Sequence, residues 1–373
     1  MTKLVKVGAR GSGVEWKDAL KNIQADDVLL LEPGYYKLEQ GMQVCDLTIK
    51  GTGSSPEDTI IDGNFILGGD CRFFTLENLC LQTHTNYNPL FVEDVADTYL
   101  TLRNIVVEGG IDNTAAIAVN GRCTLELFSV KILGASISLF ENADFRITMN
   151  DCLVDYDSDK YSAIGIQGKG TAIISNSIIK GSLSTYTNSN CEVDLNNSEV
   201  TVALIHGQTW MNMLNSKVIS EIDSSFYVSD DSWVNIVNCS FAGGVFLDKK
   251  TRTLMQNSNL DRLIVCNEAR LTINNSSISS HADFQDQAEC DATRVVFSSG
   301  IDFRYFVALN GSAFMRGHDL IMDPNSSTLA VQDNARVILN VLSDKNHKML
   351  EVECDNKNNI NIIGIPWEVK TNN

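Results

Sequence analysis

Short runs of alternating apolar and polar residues recur along the chain, and each run ends at a residue that is most often Asn. The clearest copy is Leu271–Ile278, in which apolar residues alternate up to Ile273 and Asn275 follows two positions later. When that Asn is taken as an anchor, the anchors lie 18 to 27 residues apart and number fifteen. They are Gly51, Asn78, Asn104, Ser129, Asp151, Asn176, Asn197, Asn215, Asn238, Asn257, Asn275, Arg294, Gly317, Asn340 and Gly364.

A period of this length, built from short alternating strands, is typical of a β-solenoid. Each repeat divides into three strands. The second strand precedes the anchor, the third follows it, and the first ends about nine residues before it. The pattern therefore predicts an all-β chain that folds as a single-stranded parallel β-helix, with three strands per coil and about 15 coils.

The first 25 residues do not follow the repeat. Trp16, Ala19, Leu20 and Ile23 fall on one face of a predicted amphipathic helix. Such a helix would cover the open end of the solenoid core. The predicted domains are the N-terminal cap (1–25), the parallel β-helix (26–367) and a C-terminal tail (368–373).

Nine of the fifteen anchors are Asn, which indicates a structural role. We expect these residues to stack from coil to coil as an internal asparagine ladder, because buried amides are stable only when their hydrogen bonds are satisfied.

The net charge is −18, which argues against a nucleic-acid or anionic-membrane partner. The start of the chain, Met1–Val5, has no apolar signal-peptide core, and no stretch approaches transmembrane length. We therefore expect a cytoplasmic protein, or one exported without an N-terminal signal peptide. The ten cysteines are expected to be reduced thiols that act as small apolar residues.

The first strand of each coil carries unusually apolar residues at positions predicted to face outward. A stacked apolar and aromatic stripe usually marks a binding surface, here for a glycan or a protein. The alternative is a stripe covered by the chain's own loops or by a second subunit. Eleven residues before eight of the anchors lie Phe140, Tyr186, Leu204, Tyr227, Phe246, Ile264, Phe306 and Leu329.

Charged residues lie on the same predicted outer face. Arg262, His281 and Arg304 stand thirteen residues before three successive anchors, and Asp283 is two residues after His281. These four residues are the catalytic candidates, because a carboxylate, an imidazole and two guanidinium groups supply acid–base chemistry and anion stabilisation. An Asp between two Arg would act as a base or ligand, since its pKa would be lowered. The alternative is a salt-bridge network that pins adjacent coils.

No Cys/His spacing suggests zinc, and no Gly-rich phosphate loop is present, so we predict neither a metal nor a cofactor.

The opening coils combine Pro33-Gly34-Tyr35-Tyr36, Leu47–Gly53 and Thr59–Gly63 in that order. This order resembles the start of the pectin-lyase-like right-handed parallel β-helix superfamily. The resemblance implies a right-handed helix and an activity directed at carbohydrate, but the superfamily contains lyases, hydrolases, esterases, epimerases and non-catalytic proteins. The motifs of its polygalacturonase-like and methylesterase-like enzymes are incomplete or out of order here.

Two functional hypotheses follow. The first is a carbohydrate-directed β-helix, with lyase or hydrolase activity left open, that binds polysaccharide along the stripe. Its substrate-binding candidates are Tyr186, Tyr227, Phe246, Phe306, Phe140, Asp248 and Gln285. The second is a non-catalytic scaffold, effector or adhesion module that uses the stripe to bind a protein partner or to form a homo-oligomer.

Overall fold

The computed structural model describes residues 3–8, 13–39, 41–109, 115–158, 160–299, 303–323, 327–344 and 349–370. The chain divides into two compact units, Met1–Val200 (unit 1) and Thr201–Asn373 (unit 2). Both units are built from parallel β-solenoid turns, about 15 in the whole chain, and helix is almost absent from the described residues. The predicted all-β, parallel β-helix class is confirmed.

The elements of unit 1 follow the repeat. Among its described residues it contains helix α1 (Trp16–Lys21), a 3₁₀ helix (Pro56–Asp58) and these strands: β1 Leu4–Val7, β2 Val28–Leu31, β3 Gly34–Lys37, β4 Met42–Val44, β5 Leu47–Gly51, β6 Thr59–Asp62, β7 Phe65–Leu67, β8 Phe73–Gln82, β9 Leu90–Val92, β10 Asp97–Glu108, β11 Ala115–Val119, β12 Arg122–Phe128, β13 Lys131–Leu133, β14 Ser136–Leu139, β15 Asp144–Asn150, β16 Leu153–Asp155, β17 Ile164–Ile166, β18 Lys169–Ser175, β19 Ile178–Thr185 and β20 Asn190–Asn196.

The elements of unit 2 begin with β21 (Glu199–Ile205), in which the division between the units falls. They continue with a 3₁₀ helix (Lys357–Asn359) and these strands: β22 Gln208–Leu214, β23 Lys217–Val218, β24 Phe226–Val228, β25 Trp233–Val237, β26 Ser240–Leu247, β27 Arg252–Gln256, β28 Asn259–Val265, β29 Arg270–Asn274, β30 Ser277–Phe284, β31 Glu289–Thr293, β32 Val296–Ser298, β33 Tyr305–Leu309, β34 Phe314–Asp323, β35 Thr328–Val331, β36 Arg336–Asp344, β37 Leu350–Cys354, β38 Ile360–Ile363 and β39 Trp367–Val369.

A short helix lies inside the predicted cap. In α1, Ala19 is buried and the ring of Trp16 contacts that of Tyr36, with centroids 5.4 Å apart. Trp16 also donates a hydrogen bond to the carbonyl of Lys37. The helix spans only six residues, and these contacts do not show it covering the end of the core, so its predicted capping role is not evident.

The core of each unit is formed mainly by alternate residues of the strands. In β22, Thr209, Met211 and Met213 are buried, whereas Gln208 and Trp210 are exposed. The pairing is parallel and in register between neighbouring turns, as from β25 to β27 to β29. One inward-facing row therefore continues through successive turns, which is why the two-residue alternation was readable from the sequence.

The anchor is a corner between two strands, where the backbone enters the left-handed region. The φ angles at the Asn anchors from Asn78 to Asn275 lie between 49° and 56°. Asn tolerates this conformation better than most residues other than Gly, which explains its frequency there.

An asparagine ladder is present, but it is exposed rather than internal. The side-chain amide of Asn104 donates to Asn78 over 2.7 Å, and that of Asn197 donates to Asn176 over 2.6 Å. All these anchors are exposed except Asn78, which is half-buried. The expectation of a buried ladder was wrong because a left-handed corner turns the side chain of the anchor itself outward.

The buried ladder is made by the next residue, which is usually Ser. The hydroxyl of Ser198 accepts a hydrogen bond from the backbone N–H of Ser177 over 3.1 Å, and Ser276 does the same for Ser258. Both Ser177 and Ser258 also donate to the carbonyl two residues before them, over 2.7 and 2.8 Å. The sequence contained this signal, since Ser directly follows the anchor in five repeats, at positions 177, 198, 216, 258 and 276.

One anchor was assigned to the wrong residue. Arg294 has a φ of 52°, and its counterpart in the next turn is Asp319, with a φ of 54°, rather than Gly317. Residues placed by counting back from Gly317 are therefore displaced by two positions, which affects Arg304 and Phe306.

All ten cysteines are free thiols, and eight of them are buried. Burial raises the pKa of the Cys123 thiol to about 12, so this side chain behaves as a small apolar residue. No helix in the described ranges is both long and apolar enough to cross a bilayer.

Candidate functional site

The predicted catalytic residues lie in unit 2 and only partly come together. Arg262 of β28 pairs in register with His281 of β30, and Asp283 follows two residues later on the same face. Arg304 lies before β33, and its side chain binds a different carboxylate. Its guanidinium makes a two-point contact with the carboxylate of Glu353, at 2.8 Å to each oxygen.

The side chain of Arg262 is ion-paired with carboxylates of its own unit. Its guanidinium forms ion pairs with Asp223 and with Asp261, the latter at 3.1 Å. The guanidinium carbon also lies 5.9 Å from the ring centroid of Phe303. This arrangement is a salt-bridge network between turns, which is the alternative that the sequence left open.

His281 is held by stacking and by the backbone. Its ring stacks on Phe303 with centroids 5.1 Å apart and planes 3° from parallel, and its Nδ1 lies 2.7 Å from the carbonyl oxygen of Tyr305. Phe303 thus organises both His281 and Arg262. Sequence reasoning missed it because it lies outside the strands and follows no repeat.

Asp283 and Gln285, predicted to lie one row apart, are hydrogen-bonded to each other. Gln285 Nε2 donates to Asp283 Oδ2 over 2.5 Å, while Asp283 Oδ1 is buried without a hydrogen-bond partner among the described residues. The four catalytic candidates therefore belong to three groups of contacts and do not form a single convergent constellation. These groups are Arg262 with His281 around Phe303, Asp283 with Gln285, and Arg304 with Glu353.

Two predicted members of the stripe face inward. Phe306 and Leu329 are fully buried, although the pattern placed both outside. The pairing of β33 with β35 shifts between Tyr305 and Val307, and this irregularity brings the neighbours Phe306 and Val307 both into the core. Leu329 pairs with the inward-facing Val307 and follows it.

In unit 2, the aromatic pair Tyr227 and Phe246 does lie on the outer face, but both are half-buried. Their ring centroids are 5.2 Å apart, and the Tyr227 hydroxyl donates to Asp248 over 2.8 Å. Burial, and then this hydrogen bond, raise the pKa of Tyr227. Asp248 also accepts a 2.5 Å hydrogen bond from Asn267, so it supports the pair.

A histidine that the sequence reasoning did not select adjoins this pair. The ring centroid of His206 lies 5.3 Å from that of Tyr227, and its Nδ1 is 3.9 Å from Asp230. Burial lowers the pKa of His206, an effect that Asp230 partly opposes. Burial alone would raise the pKa of Asp230, but hydrogen bonds from Lys249 and from the Gly207 N–H lower it overall.

In unit 1, by contrast, the outward aromatic residues border an open groove of about 300 Å³. Phe140, Gln167 and Tyr186 directly follow β14, β17 and β19, three first strands that pair in sequence. At the usual strand spacing, Phe140 and Tyr186 are about 10 Å apart along the solenoid. Phe140 and Tyr186 are 38% and 37% exposed, and Tyr161, a third ring at the groove, is 52% exposed.

The remaining lining of this groove is polar but uncharged. Hydroxyl groups come from Ser136, Ser138 and Ser162, and amides from Asn88 and Gln167. Ser162 donates to Ser184 over 2.7 Å and lies 3.3 Å from the Tyr186 hydroxyl, which orients that ring. None of the described residues that line the groove carries a charge, although the chain as a whole has a net charge of −18.

A glycine keeps the groove open. A Cβ atom built on Gly165 would lie 3.6 Å from both Cε2 and the hydroxyl oxygen of Tyr186, an ordinary contact distance. A larger side chain at Gly165 would therefore extend into the groove beside Tyr186 without backbone strain.

Within the described ranges, no group of three or more His, Cys, Asp or Glu side chains is arranged to hold a metal ion. A comparison with protein-family models finds no match, and a comparison with curated proteins finds no significant one. Functional inference therefore rests on the geometry of the two units.

Proposed function

We propose that the protein binds a neutral saccharide in the groove of unit 1. The observation that carries this proposal is the combination of Phe140, Tyr161 and Tyr186 with an uncharged lining of hydroxyls and amides. Sugar rings offer apolar C–H faces to aromatic rings and hydroxyls to polar side chains. A concave site with a few placed polar groups and apolar walls matches both features.

The described lining residues carry no charge, and this favours neutral sugars over acidic ones. A uronic-acid polymer would bring one carboxylate per unit, and no described cation of the groove would compensate its desolvation. The net charge of −18 would repel such a polymer further. The proposal is therefore restricted to neutral sugars.

The resemblance of residues 28–63 to the opening coils of the pectin-lyase-like superfamily supports a carbohydrate ligand. We propose membership of that superfamily on the same residues. Catalysis is not part of the proposal, because Arg262 and Arg304 are engaged by carboxylates and the His281 ring is stacked on Phe303.

The test is binding to an array of neutral and acidic glycans, followed by calorimetry with the saccharides that bind. Gly165→Leu should lower the affinity at least about tenfold, which corresponds to about 1.4 kcal/mol. The matched control is Ala308→Leu, a half-buried outward position on the first sheet of unit 2, which should bind as wild type does.

Equal affinity of wild type and Gly165→Leu would remove the groove from the proposal. Failure to bind any neutral saccharide, together with self-association or capture of a protein through the same rings, would favour the alternative of a non-catalytic scaffold.

A further inference from the structure

A second, larger cavity lies in unit 1, and it has a volume of about 740 Å³. Its walls come from the last residues of β3 and β6, Lys37 and Asp62, and from the segments that follow β3, β6 and β8, which pair in this order. His84 lies in the segment after β8. The cavity therefore lies along one corner of the solenoid, where each third strand leads into the next first strand.

An amide that makes no hydrogen bond with any described residue lines this cavity. Asn64 is only 7% exposed, but its polar atoms are not among the buried atoms without a partner, so they reach the space of the cavity. Such an amide is normally satisfied by water or by a ligand. A Cβ atom on Gly41 would lie 2.8 Å from Asn64 Nδ2, so the backbone of Gly41 closes one side of the amide. Its remaining hydrogen-bonding capacity is directed at the cavity.

Four ionisable residues, Lys37, Glu39, Asp62 and His84, line the cavity, and the two carboxylates accept hydrogen bonds. Glu39 accepts a hydrogen bond from Lys17 over 2.5 Å, and Asp62 accepts one from the hydroxyl of Tyr35. Tyr87, on the cavity wall, is 67% exposed and offers a ring for stacking. An exposed ring beside an amide that can both donate and accept suits a sugar ring with neighbouring hydroxyls.

The two sites share one loop, the segment 83–89 between β8 and β9. Tyr87 lines the cavity, and the next residue, Asn88, lines the groove. Asn64 directly precedes β7, and Ser162 lies shortly before β17. The strands β7, β9, β11, β14 and β17 pair in this order, so four strand spacings separate the two residues. This separation is about 19 Å, the length of a short oligosaccharide.

We propose that the Asn64 cavity is a second subsite for the same ligand, and that the ligand is a linear neutral oligosaccharide lying along this corner of unit 1. The inference rests on the proposed function, since it extends the saccharide from the groove into the cavity. Asn64 binds sugar hydroxyls, and Tyr87 stacks on the ring. The groove takes one end of the chain, so short ligands bind there alone.

The experiment compares chain lengths in calorimetry. The probes are maltose, cellobiose and xylobiose, each beside its hexasaccharide. For the sugar that binds, wild type should bind the hexasaccharide at least about tenfold more tightly than the disaccharide. In Asn64→Leu this ratio should fall to about threefold or less, while disaccharide affinity stays unchanged. Asn86→Leu, which replaces an exposed amide of the same loop that does not line the cavity, is the matched control and should keep the wild-type ratio.

Thermal unfolding separates binding from folding. Because the Asn64 amide has no partner to lose among the described residues, Asn64→Leu should keep or raise the melting temperature. A lower melting temperature would assign Asn64 a structural role and overturn the inference.

The outcomes distinguish the two proposals. Gly165→Leu could abolish disaccharide binding while wild type binds hexasaccharides no more tightly than disaccharides. This result would support the groove and overturn the second subsite. Absence of binding by all six probes would overturn both.

Discussion

The outer face of the first sheet carries aromatic residues in both units, but their surroundings differ. In unit 1, Phe140 and Tyr186 border a groove and each is more than one-third exposed. In unit 2, Tyr227 and Phe246 contact each other, and Asp248 holds the Tyr227 hydroxyl. The rings also stand at different positions of the strand, since Phe140 and Tyr186 directly follow β14 and β19 whereas Tyr227 and Phe246 lie within β24 and β26. The rings of unit 1 therefore line a groove, and those of unit 2 pack on each other.

The difference arises from what occupies the neighbouring positions. In unit 1, Gly165 and Gln167 separate Phe140 from Tyr186, and the small glycine leaves space beside the ring. In unit 2, Tyr227 and Phe246 occupy adjacent turns without a gap, so the rings fill the space between them. An interruption of the aromatic stripe leaves a concavity, and a concavity is the shape that small-ligand sites usually have.

The largest expected effects come from two double variants, one that removes the aromatic pair of unit 2 and one that removes the pair of unit 1. Tyr227→Ala with Phe246→Ala should lower the free energy of unfolding by about 2–4 kcal/mol, since half-buried rings leave a cavity. Phe140→Ala with Tyr186→Ala should cost about 1 kcal/mol or less but abolish saccharide binding. Denaturant unfolding and calorimetry measure the two quantities.

This expectation reverses the one drawn from the pattern alone, in which Tyr227 and Phe246 belonged to the substrate-binding stripe. If the double variant of unit 2 lost saccharide binding and kept its stability, that interpretation would be restored. The proposed difference between the aromatic residues of the two units would then be wrong.

A smaller effect is expected for the hydroxyl of Tyr227. Tyr227→Phe removes its hydrogen bond to Asp248 and should lower the free energy of unfolding by about 1–2 kcal/mol, because a charged acceptor loses a partner. The matched change Tyr186→Phe removes only a 3.3 Å contact with Ser162 and should cost less than about 0.5 kcal/mol. Equal losses would show that the two hydroxyls do not differ as the geometry indicates.

The smallest effect concerns pH in unit 2. Because the pKa of His206 is lowered in the folded protein, the unfolded chain binds a proton more readily below about pH 6.5. The stability of the wild type should therefore fall as the pH drops from about 7 to 5, and His206→Asn should make this pH dependence shallower. Identical slopes for the two proteins would contradict the assigned burial effect.

The comparison also shows why the catalytic prediction from sequence was only partly useful. The register of Arg262 with His281 was predicted correctly, because the repeat between their anchors is regular. The position of Arg304 was not, because Asp319 rather than Gly317 forms the corner. The spacing allowed both assignments, and only the backbone conformation distinguishes them.

The sequence by itself determined the solenoid, its period and most of the corner residues. These features depend on local properties, namely the two-residue alternation of strands and the tolerance of Asn for a left-handed backbone. Tertiary structure decided which side of each corner a side chain occupies, so the amide ladder is exposed and the Ser177–Ser198 ladder is buried. It also decided the groove beside Tyr186 and the unpaired amide of Asn64. Both depend on residues about 20 or more positions apart in the chain, whose distances are set only when successive turns stack.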